Sequence, residues 1–202
     1  MAANQARGDA GRRPGRPRNE ALQQQIKDAA IEVLARMGFS GLTLDRVCAE
    51  AGVTKATFYR RWNSPAECVL EALVELWSEA EFLDRGEPAA DLEAFARTLI
   101  RLYTHPVLGR CMLAVQTERP VNPILFEPIN TAALQRRSRN TATLRRALER
   151  LPEPPALSPN MILHALNGVI RNIEGLDWPL SDDELRTLIR TLLSPAPAKT
   201  SS

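Results

Sequence analysis

The chain has 202 residues, of which 26 are Lys or Arg and 24 are Asp or Glu, and its formal net charge is +2. With 44% hydrophobic and 25% charged residues, the composition is that of a globular protein with a substantial core and excludes disorder throughout. No apolar run approaches the roughly 20 residues that span a bilayer, and the N-terminus lacks the apolar stretch of a signal peptide. The three cysteines are an odd number in a chain large enough not to need disulfides. We therefore expect a cytoplasmic protein with reduced thiols and no membrane partner.

The charge is unevenly distributed along the chain. Residues 1–62 hold 11 basic and 6 acidic side chains, a net charge of +5, whereas the remaining 140 residues hold 15 basic and 18 acidic ones, a net charge of −3. A basic end on a mildly acidic body attracts polyanions to that end. The distribution predicts a nucleic-acid contact in the N-terminal third.

The hydrophobic pattern predicts helices alone, because apolar residues recur at helical spacing and no segment alternates with the period of a strand. Two helix starts are marked by Ser64 with Pro65 and Glu67, and by Ser181 with Glu184, each of which predicts a capping box. We predict an all-α fold of about nine helices without internal repeats. In residue numbers the expected helices are about 19–37, 43–51, 54–61, 64–86, 91–104, 106–117, 122–151, 160–176 and 182–193.

Residues 43–62 have the pattern of a helix-turn-helix: a short helix, a turn at a glycine, and a second helix with a polar outer face. Gly52 allows the chain to reverse at positive φ, and Phe58 is expected to point inward. Side chains at the start of the second helix then face the base edges of a major groove, while the first helix offers backbone N–H groups to a phosphate. The residues expected to contact DNA in this motif are Thr43, Thr54, Lys55, Ala56, Thr57, Tyr59 and Arg60.

From about Asn19 to Glu81 the sequence resembles the N-terminal DNA-binding domain of the TetR family of transcriptional regulators. The resemblance is carried by Thr43-Leu44-Asp45-Arg46-Val47, by the segment from Ala51 to Trp62, and by the capped helix at Ser64. It implies a homodimer whose two recognition helices enter successive major grooves of a palindromic operator. It also implies a C-terminal domain that binds a small-molecule inducer and dimerises through its last two helices. Pro65 departs from the pattern, since many relatives have a phosphate-contacting lysine there.

The resemblance and the composition together divide the chain into four parts. Residues 1–18 are expected to be a disordered basic arm, residues 19–81 the DNA-binding domain, residues 82–194 the ligand-binding and dimerisation domain, and residues 195–202 a flexible tail. In the arm, Arg16 lies in a Gly-Arg-Pro segment of the kind that enters a narrow minor groove with an extended backbone. The alternative is a solvated basic tail that adds only sequence-independent attraction.

The last two predicted helices carry apolar stripes that suit either a dimer interface or the core of the monomer. The resemblance favours an interface containing Met161, Ala165, Val169, Leu185, Ile189 and Leu192. Apolar and polar side chains between the fourth and eighth helices could line a ligand chamber, although core packing is the alternative role for each of them. These candidates are Trp77, Phe82, Tyr103, His105, Met112, Gln116, Phe126, Asn167 and Trp178.

Enzyme motifs are missing from the sequence. His105 and His164 are the only histidines and have no metal-ligand spacing, so neither a metal nor a cofactor is expected. Cys111, near Arg110, could be a low-pKa redox sensor, and a packed thiol is the alternative. We predict a ligand-responsive repressor that binds operator DNA as a homodimer and is released by an unidentified small molecule. The other candidate is a helical small-molecule-binding or catalytic module with a vestigial helix-turn-helix.

Overall fold

A computed structural model describes residues 16–173 and 180–196. Within these residues the secondary structure consists of nine helices and one isolated β-bridge between Pro155 and Pro195, which confirms the predicted all-α fold. The helices are α1 (Arg16–Gly41), α2 (Leu44–Ala51), α3 (Lys55–Tyr59), α4 (Pro65–Ser78), α5 (Pro88–Thr104), α6 (Pro106–Glu118), α7 (Glu127–Leu148), α8 (Pro159–Ile173) and α9 (Asp182–Leu192).

Helix α1 begins at Arg16, three residues before the predicted start, and Pro17 suits the first turn of a helix. The backbone of residues 16–18 is therefore helical in the structure and not extended as predicted, while the disorder predicted for residues 1–18 stays a prediction. The rest of the predicted arm lies outside the described residues. At the other end Gly38, which directly follows the predicted helix, has a φ of 64° and interrupts α1 before a last turn that ends at Gly41.

Prolines and caps determine where several helices begin. Helices α4 to α8 each have proline at the first or second position, where a missing N–H costs nothing. In a helix from the predicted Asn122, Pro128 would lie past the first turn, where its N–H would be needed. Helix α7 instead begins at Glu127, so that Pro128 lies in the first turn.

The two predicted capping boxes differ in the structure. At α9 the box is complete: the Glu184 N–H donates to Ser181 Oγ at 3.3 Å, and Glu184 Oε2 accepts from the Ser181 N–H at 2.9 Å. At α4 Ser64 Oγ accepts from the Glu67 N–H at 3.1 Å, but the Glu67 carboxylate accepts from the Asn63 N–H at 2.8 Å. In the predicted box at Ser64, the Glu67 carboxylate therefore accepts from the N–H of Asn63 instead of the N–H of Ser64.

Two clusters of buried apolar residues form the core. The first joins α1 to α4 and takes in Cys111 and Val115 of α6, because α6 packs along α1. Phe126 also belongs to this cluster, and its ring meets Phe39 edge-to-face with 5.3 Å between centroids. The second cluster joins α5, the C-terminal half of α7, α8 and α9. The first core thus extends beyond residue 81, where the sequence places the end of the DNA-binding domain.

Candidate nucleic-acid interface and ligand cavity

The turn between α2 and α3 is fixed by backbone bonds and by one side chain from α1. Gly52 has φ 62° and ψ 33°, in the left-handed region predicted for it, and its N–H donates to Ala49 O at 3.3 Å. The Val53 N–H donates to Cys48 O at 3.0 Å, and Gln25 Nε2 donates to Ala51 O at 2.8 Å. Because these bonds satisfy the last carbonyls of α2, the angle between α2 and α3 is held without help from solvent.

Aromatic side chains anchor α3 from beneath. Phe58 and Trp62 are fully buried, with ring centroids 5.6 Å apart. Phe58 points inward as the sequence predicts, and packs in the same cluster as Val47 and Ala51 of α2. An apolar core of this kind gives a five-residue helix a fixed orientation that its own hydrogen bonds could not provide.

The opposite side of α3 is polar and accessible. Thr54 caps the helix by accepting from the Thr57 N–H at 3.2 Å, and the two threonine hydroxyl oxygens lie 3.1 Å apart. Tyr59 is 57% exposed. The structure thus brings most of the predicted DNA contacts together on one exposed element, with Thr57 half-buried and these others exposed: Thr54, Lys55, Ala56, Tyr59 and Arg60. Thr43 is exposed at the start of α2, where it makes no side-chain capping bond.

Lys55 forms an ion pair with Asp45 of α2, with 2.5 Å between Nζ and Oδ1. The hydrogen bond to Asp45 raises the pKa of Lys55 above its ordinary value, so the ammonium group stays protonated. Both side chains are largely exposed, and the pair therefore contributes little to stability. Its main effect is instead electrostatic, because the negative charge of Asp45 offsets the positive charge of Lys55 at the start of α3.

A buried ionic network that the sequence analysis missed connects α4 to both sides of the helix-turn-helix. Glu71 of α4 accepts from Lys27 Nζ at 2.9 Å, from Arg61 at 2.9 Å and from Trp62 Nε1 at 3.0 Å. Lys27 also pairs with Glu75 at 2.5 Å. The available signal was Lys27 itself, which lies at helical spacing from buried Ala30, Ile31 and Leu34 and is only 6% exposed.

Both main members of this network are charged. Burial raises the pKa of Glu71, but the hydrogen bonds from Lys27 and Trp62 outweigh this effect and leave the pKa below its ordinary value. Burial likewise lowers the pKa of Lys27, and the bonds to Glu75 and Glu71 reverse that effect and raise it. The network therefore fixes the position of α3 relative to both α1 and α4 through ionic contacts.

A cavity of about 310 Å³ lies among α5, α7 and α8. Two of the predicted chamber residues, Tyr103 and Asn167, line it. Among the other residues that line the cavity are Phe95, Leu99, Leu163, Arg136, Arg137, Asn140, His164 and Arg171.

Six of the predicted chamber residues do not line this cavity, and Trp178 lies outside the described residues. Three of them are placed by α6, which packs on α1 instead of facing α8: Met112 is half-buried, Gln116 is exposed, and His105 caps α6 by accepting from the Val107 N–H at 3.3 Å. Trp77 lines a separate cavity of about 180 Å³ beside α4. Phe82 packs against Phe95 and Phe126 against Phe39, so both belong to the core.

Comparison with known proteins agrees with this arrangement. Residues 26–72 match the family model described as bacterial regulatory proteins, tetR family. The chain is 31% identical over 91 residues to the HTH-type transcriptional regulator YdeS of Bacillus subtilis, a match that covers 45% of this chain and 46% of YdeS. It is 36% identical over 119 residues to the HTH-type transcriptional repressor DrrR1 of Streptomyces coeruleorubidus, covering 56% and 42% of the two chains.

Solved structures show the same fold over most of the chain. The TetR family transcription regulator SCO0332 is 25% identical, covers 85% of this chain and 96% of its own, and superposes with a TM-score of 0.61. A transcriptional regulator from Pseudomonas aeruginosa PAO1, at 18% identity, covers 88% and 90% with a TM-score of 0.70. Residues 26–72 thus match the TetR family model, and the fold of the described residues agrees with that of a solved TetR family regulator.

The matched region of this chain covers less than half the length of YdeS and of DrrR1. These relatives are transcriptional regulators and not enzymes, in agreement with the expectation from sequence. In the described residues no group of three His, Cys, Asp or Glu side chains could hold a metal ion. Among the same residues, no helix has the length and apolar character that crossing a membrane requires.

The residues of the predicted dimer interface fall into two groups in the structure. Leu185, Ile189 and Leu192 are buried in the second core, which is the alternative role that the sequence left open for them, and their contact with a partner stays a prediction. They are buried because α9 has one apolar stripe, and the monomer uses it against α5 and α8. On α8, by contrast, Met161 and Val169 are exposed and Ala165 is half-buried.

The three cysteines of the chain are packed thiols. Cys111 is fully buried, its Sγ donates to Ile31 O at 3.4 Å, and burial raises its pKa to about 12. The hypothesis of a low-pKa redox sensor at Cys111 is therefore wrong, because a thiol without solvent access stays protonated. Cys48, on the inner face of α2, is also buried, and burial raises its pKa too.

Proposed function

We propose that the protein is a ligand-responsive repressor that binds a palindromic DNA operator in the cytoplasm. The observation that carries this proposal is α3, a short helix with a fully buried aromatic side and an exposed side formed by Thr54, Lys55 and Tyr59. A helix held in this way can enter a major groove without refolding, so its few polar groups can select a sequence by their placement. The similarity to DrrR1, a transcriptional repressor, supports repression rather than activation.

The proposal is tested by a mobility-shift assay with DNA from upstream of the protein's own gene. We expect retardation at nanomolar protein concentration in the presence of excess unrelated duplex, since specific binding exceeds non-specific binding by about 10³-fold or more. Equal retardation of the upstream and unrelated fragments would contradict a sequence-specific repressor.

We further propose that the protein acts as a homodimer through α8. Met161 is 54% exposed, and Ala165, Gly168 and Val169 follow it at helical spacing. This stripe is smaller than the interface predicted from sequence.

We expect Val169→Asp to convert a dimer to a monomer at micromolar concentration, because burying an unpaired carboxylate in an interface costs several kcal/mol. Light scattering after size exclusion measures the molar mass. Leu113→Asp, which changes an exposed leucine on α6, is the matched control and should remain dimeric. A monomeric wild type, or dissociation of both variants alike, would contradict the α8 interface.

The ion pair between Lys55 and Asp45 predicts a gain of function. We expect Asp45→Asn to tighten binding to unrelated duplex DNA several-fold at low salt, because Lys55 is then free to release a counterion at a phosphate. The slope of log affinity against log salt should steepen by about 0.9. Fluorescence anisotropy over a salt series measures both quantities. Glu50→Gln removes one negative charge from the same helix, where it pairs with Arg36, and an equal effect of the two variants would show that net charge alone is responsible.

A further inference from the structure

The segment that leaves α4, residues 77–82, is held by side chains on one face of α7. Asn140 is buried, its Nδ2 donates to Ala80 O at 3.1 Å, and its Oδ1 accepts from the Phe82 N–H at 3.1 Å. One turn earlier, the Arg136 guanidinium donates to the carbonyl oxygen of Trp77, in the last turn of α4. We call residues 77–82 the hinge segment, because its bonds to α7 determine where the C-terminal end of α4 lies.

Arg136 also lines the 310 Å³ cavity, together with Arg137, His164 and Arg171. Among the described residues the lining contains no carboxylate, and none lies within ion-pair distance of the three arginines. Burial lowers the pKa of Arg136, as expected for a half-buried cation without a charged partner. An anion in the cavity would relieve the cost of this unpaired charge.

The rest of the lining suits an apolar ligand body. Phe95, Leu99 and Leu163 supply apolar lining in the same cavity as the arginines, while Asn167 is occupied by a bond from its Nδ2 to Leu163 O at 2.9 Å. A ligand that fits this arrangement has a hydrophobic body and an anionic group at one end. A guanidinium binds a carboxylate more strongly than a neutral carbonyl, and can do so with two parallel hydrogen bonds.

We propose that the cavity binds a small organic carboxylate with an aromatic or alkyl body, and that Arg136 couples its binding to DNA by exchanging the Trp77 carbonyl for the ligand. The ligand class rests on the cavity, and the coupling to DNA rests on the proposed repressor function. When Arg136 turns to the carboxylate, the last turn of α4 loses its bond to α7. Since Glu71 ties the same helix to Trp62 and Arg61, a shift of α4 reaches α3 directly.

The ligand class is tested by calorimetric titration with three acids and their matching amides: benzoate and benzamide, 2-naphthoate and 2-naphthamide, decanoate and decanamide. We expect at least one acid to bind, and to bind at least tenfold more tightly than its amide. Arg136→Gln should weaken binding of that acid at least tenfold and leave its amide unchanged. Arg146→Gln, on an exposed part of the same helix, is the matched control and should bind like the wild type. The site is overturned if no acid exceeds its amide, or if both variants behave alike.

The coupling is tested by hydrogen exchange in the hinge segment, which requires no DNA. We expect the acid that binds to accelerate exchange of the amides in residues 77–82 of the wild type. In Arg136→Gln the same amides should exchange fast without ligand and show no further change with it. Unchanged exchange in the liganded wild type would overturn the role of Arg136. If the protein failed to retard operator DNA, the proposed repressor function would be wrong. The calorimetry and the hydrogen exchange would still show whether the cavity binds a carboxylate and whether Arg136 responds to it.

Discussion

Changing Lys55 to Ala and Tyr59 to Phe together will abolish specific retardation of operator DNA and leave thermal unfolding almost unchanged. Each side chain lies on the exposed side of α3, and a contact to a base or phosphate contributes about 1–3 kcal/mol, so the loss of both should weaken binding roughly 30-fold or more. Exposed substitutions change stability by about 0.5 kcal/mol or less, so the melting temperature should stay within about 2 °C of the wild type. Mobility shift and thermal unfolding by circular dichroism measure the two effects.

The control for this double variant is Arg186→Ala, which removes the same positive charge from the exposed face of α9. It should leave the dissociation constant within about twofold of the wild type, because charges farther apart than about 10 Å are largely screened at ordinary salt. If the double variant still retarded the operator at wild-type concentrations, α3 would not be the recognition helix. A fall in melting temperature equal to that of a core mutation would show instead that the binding loss comes from unfolding.

The helix-turn-helix was predictable because its signals are local. Gly52 needs a left-handed backbone, Phe58 follows the inward phase of its helix, and Thr54 is a capping residue directly before it. Each signal depends only on residues a few positions apart. The structure confirms the conformation at Gly52 and the burial of Phe58, while the contacts of α3 with DNA stay a prediction.

The dimer and chamber residues were predicted less well because they depend on which elements meet. An apolar stripe shows which face of a helix is buried but not what covers it, and so Leu185 and Ile189 were assigned to a partner although they pack in the core of the monomer. Likewise, the packing of α6 on α1, which removes Gln116 from the chamber, has no signal in the spacing of α6 alone. The ionic network of Lys27 was missed, although a lysine in a buried stripe indicates an acidic partner without showing which one.

Glu71→Ala should lower the free energy of unfolding by about 3 kcal/mol and weaken DNA binding through the position of α3. The change leaves the indole N–H of fully buried Trp62 without its acceptor and leaves Lys27 with Glu75 alone. Losing one partner of a buried ionic group costs about 3–5 kcal/mol, and the remaining pair with Glu75 places the effect at the low end. For a chain of this length the melting temperature should fall by roughly 6–12 °C. Chemical denaturation at pH 7 and operator binding well below the melting temperature measure the two effects.

The matched control is Glu75→Ala, one turn along the same helix, which pairs with the same lysine but is half exposed. It should cost about 1 kcal/mol or less, because exposed ion pairs are weak.

The pH dependence of stability separates the effect of the Glu71 charge from the effect of its packing. The folded-state pKa of Glu71 lies below its ordinary 4.5, so its ionic contribution is present above pH 4.5 and is lost as the pH falls through the lower value. The pKa of Lys27 is raised above 10.5, so its contribution persists below pH 10.5 and is lost only above that. The stability difference between wild type and Glu71→Ala should therefore be constant between these limits and shrink in acid. A difference that stayed constant down to pH 2 would mean that Glu71 acts by packing, and that the link between α4 and α3 does not depend on its charge.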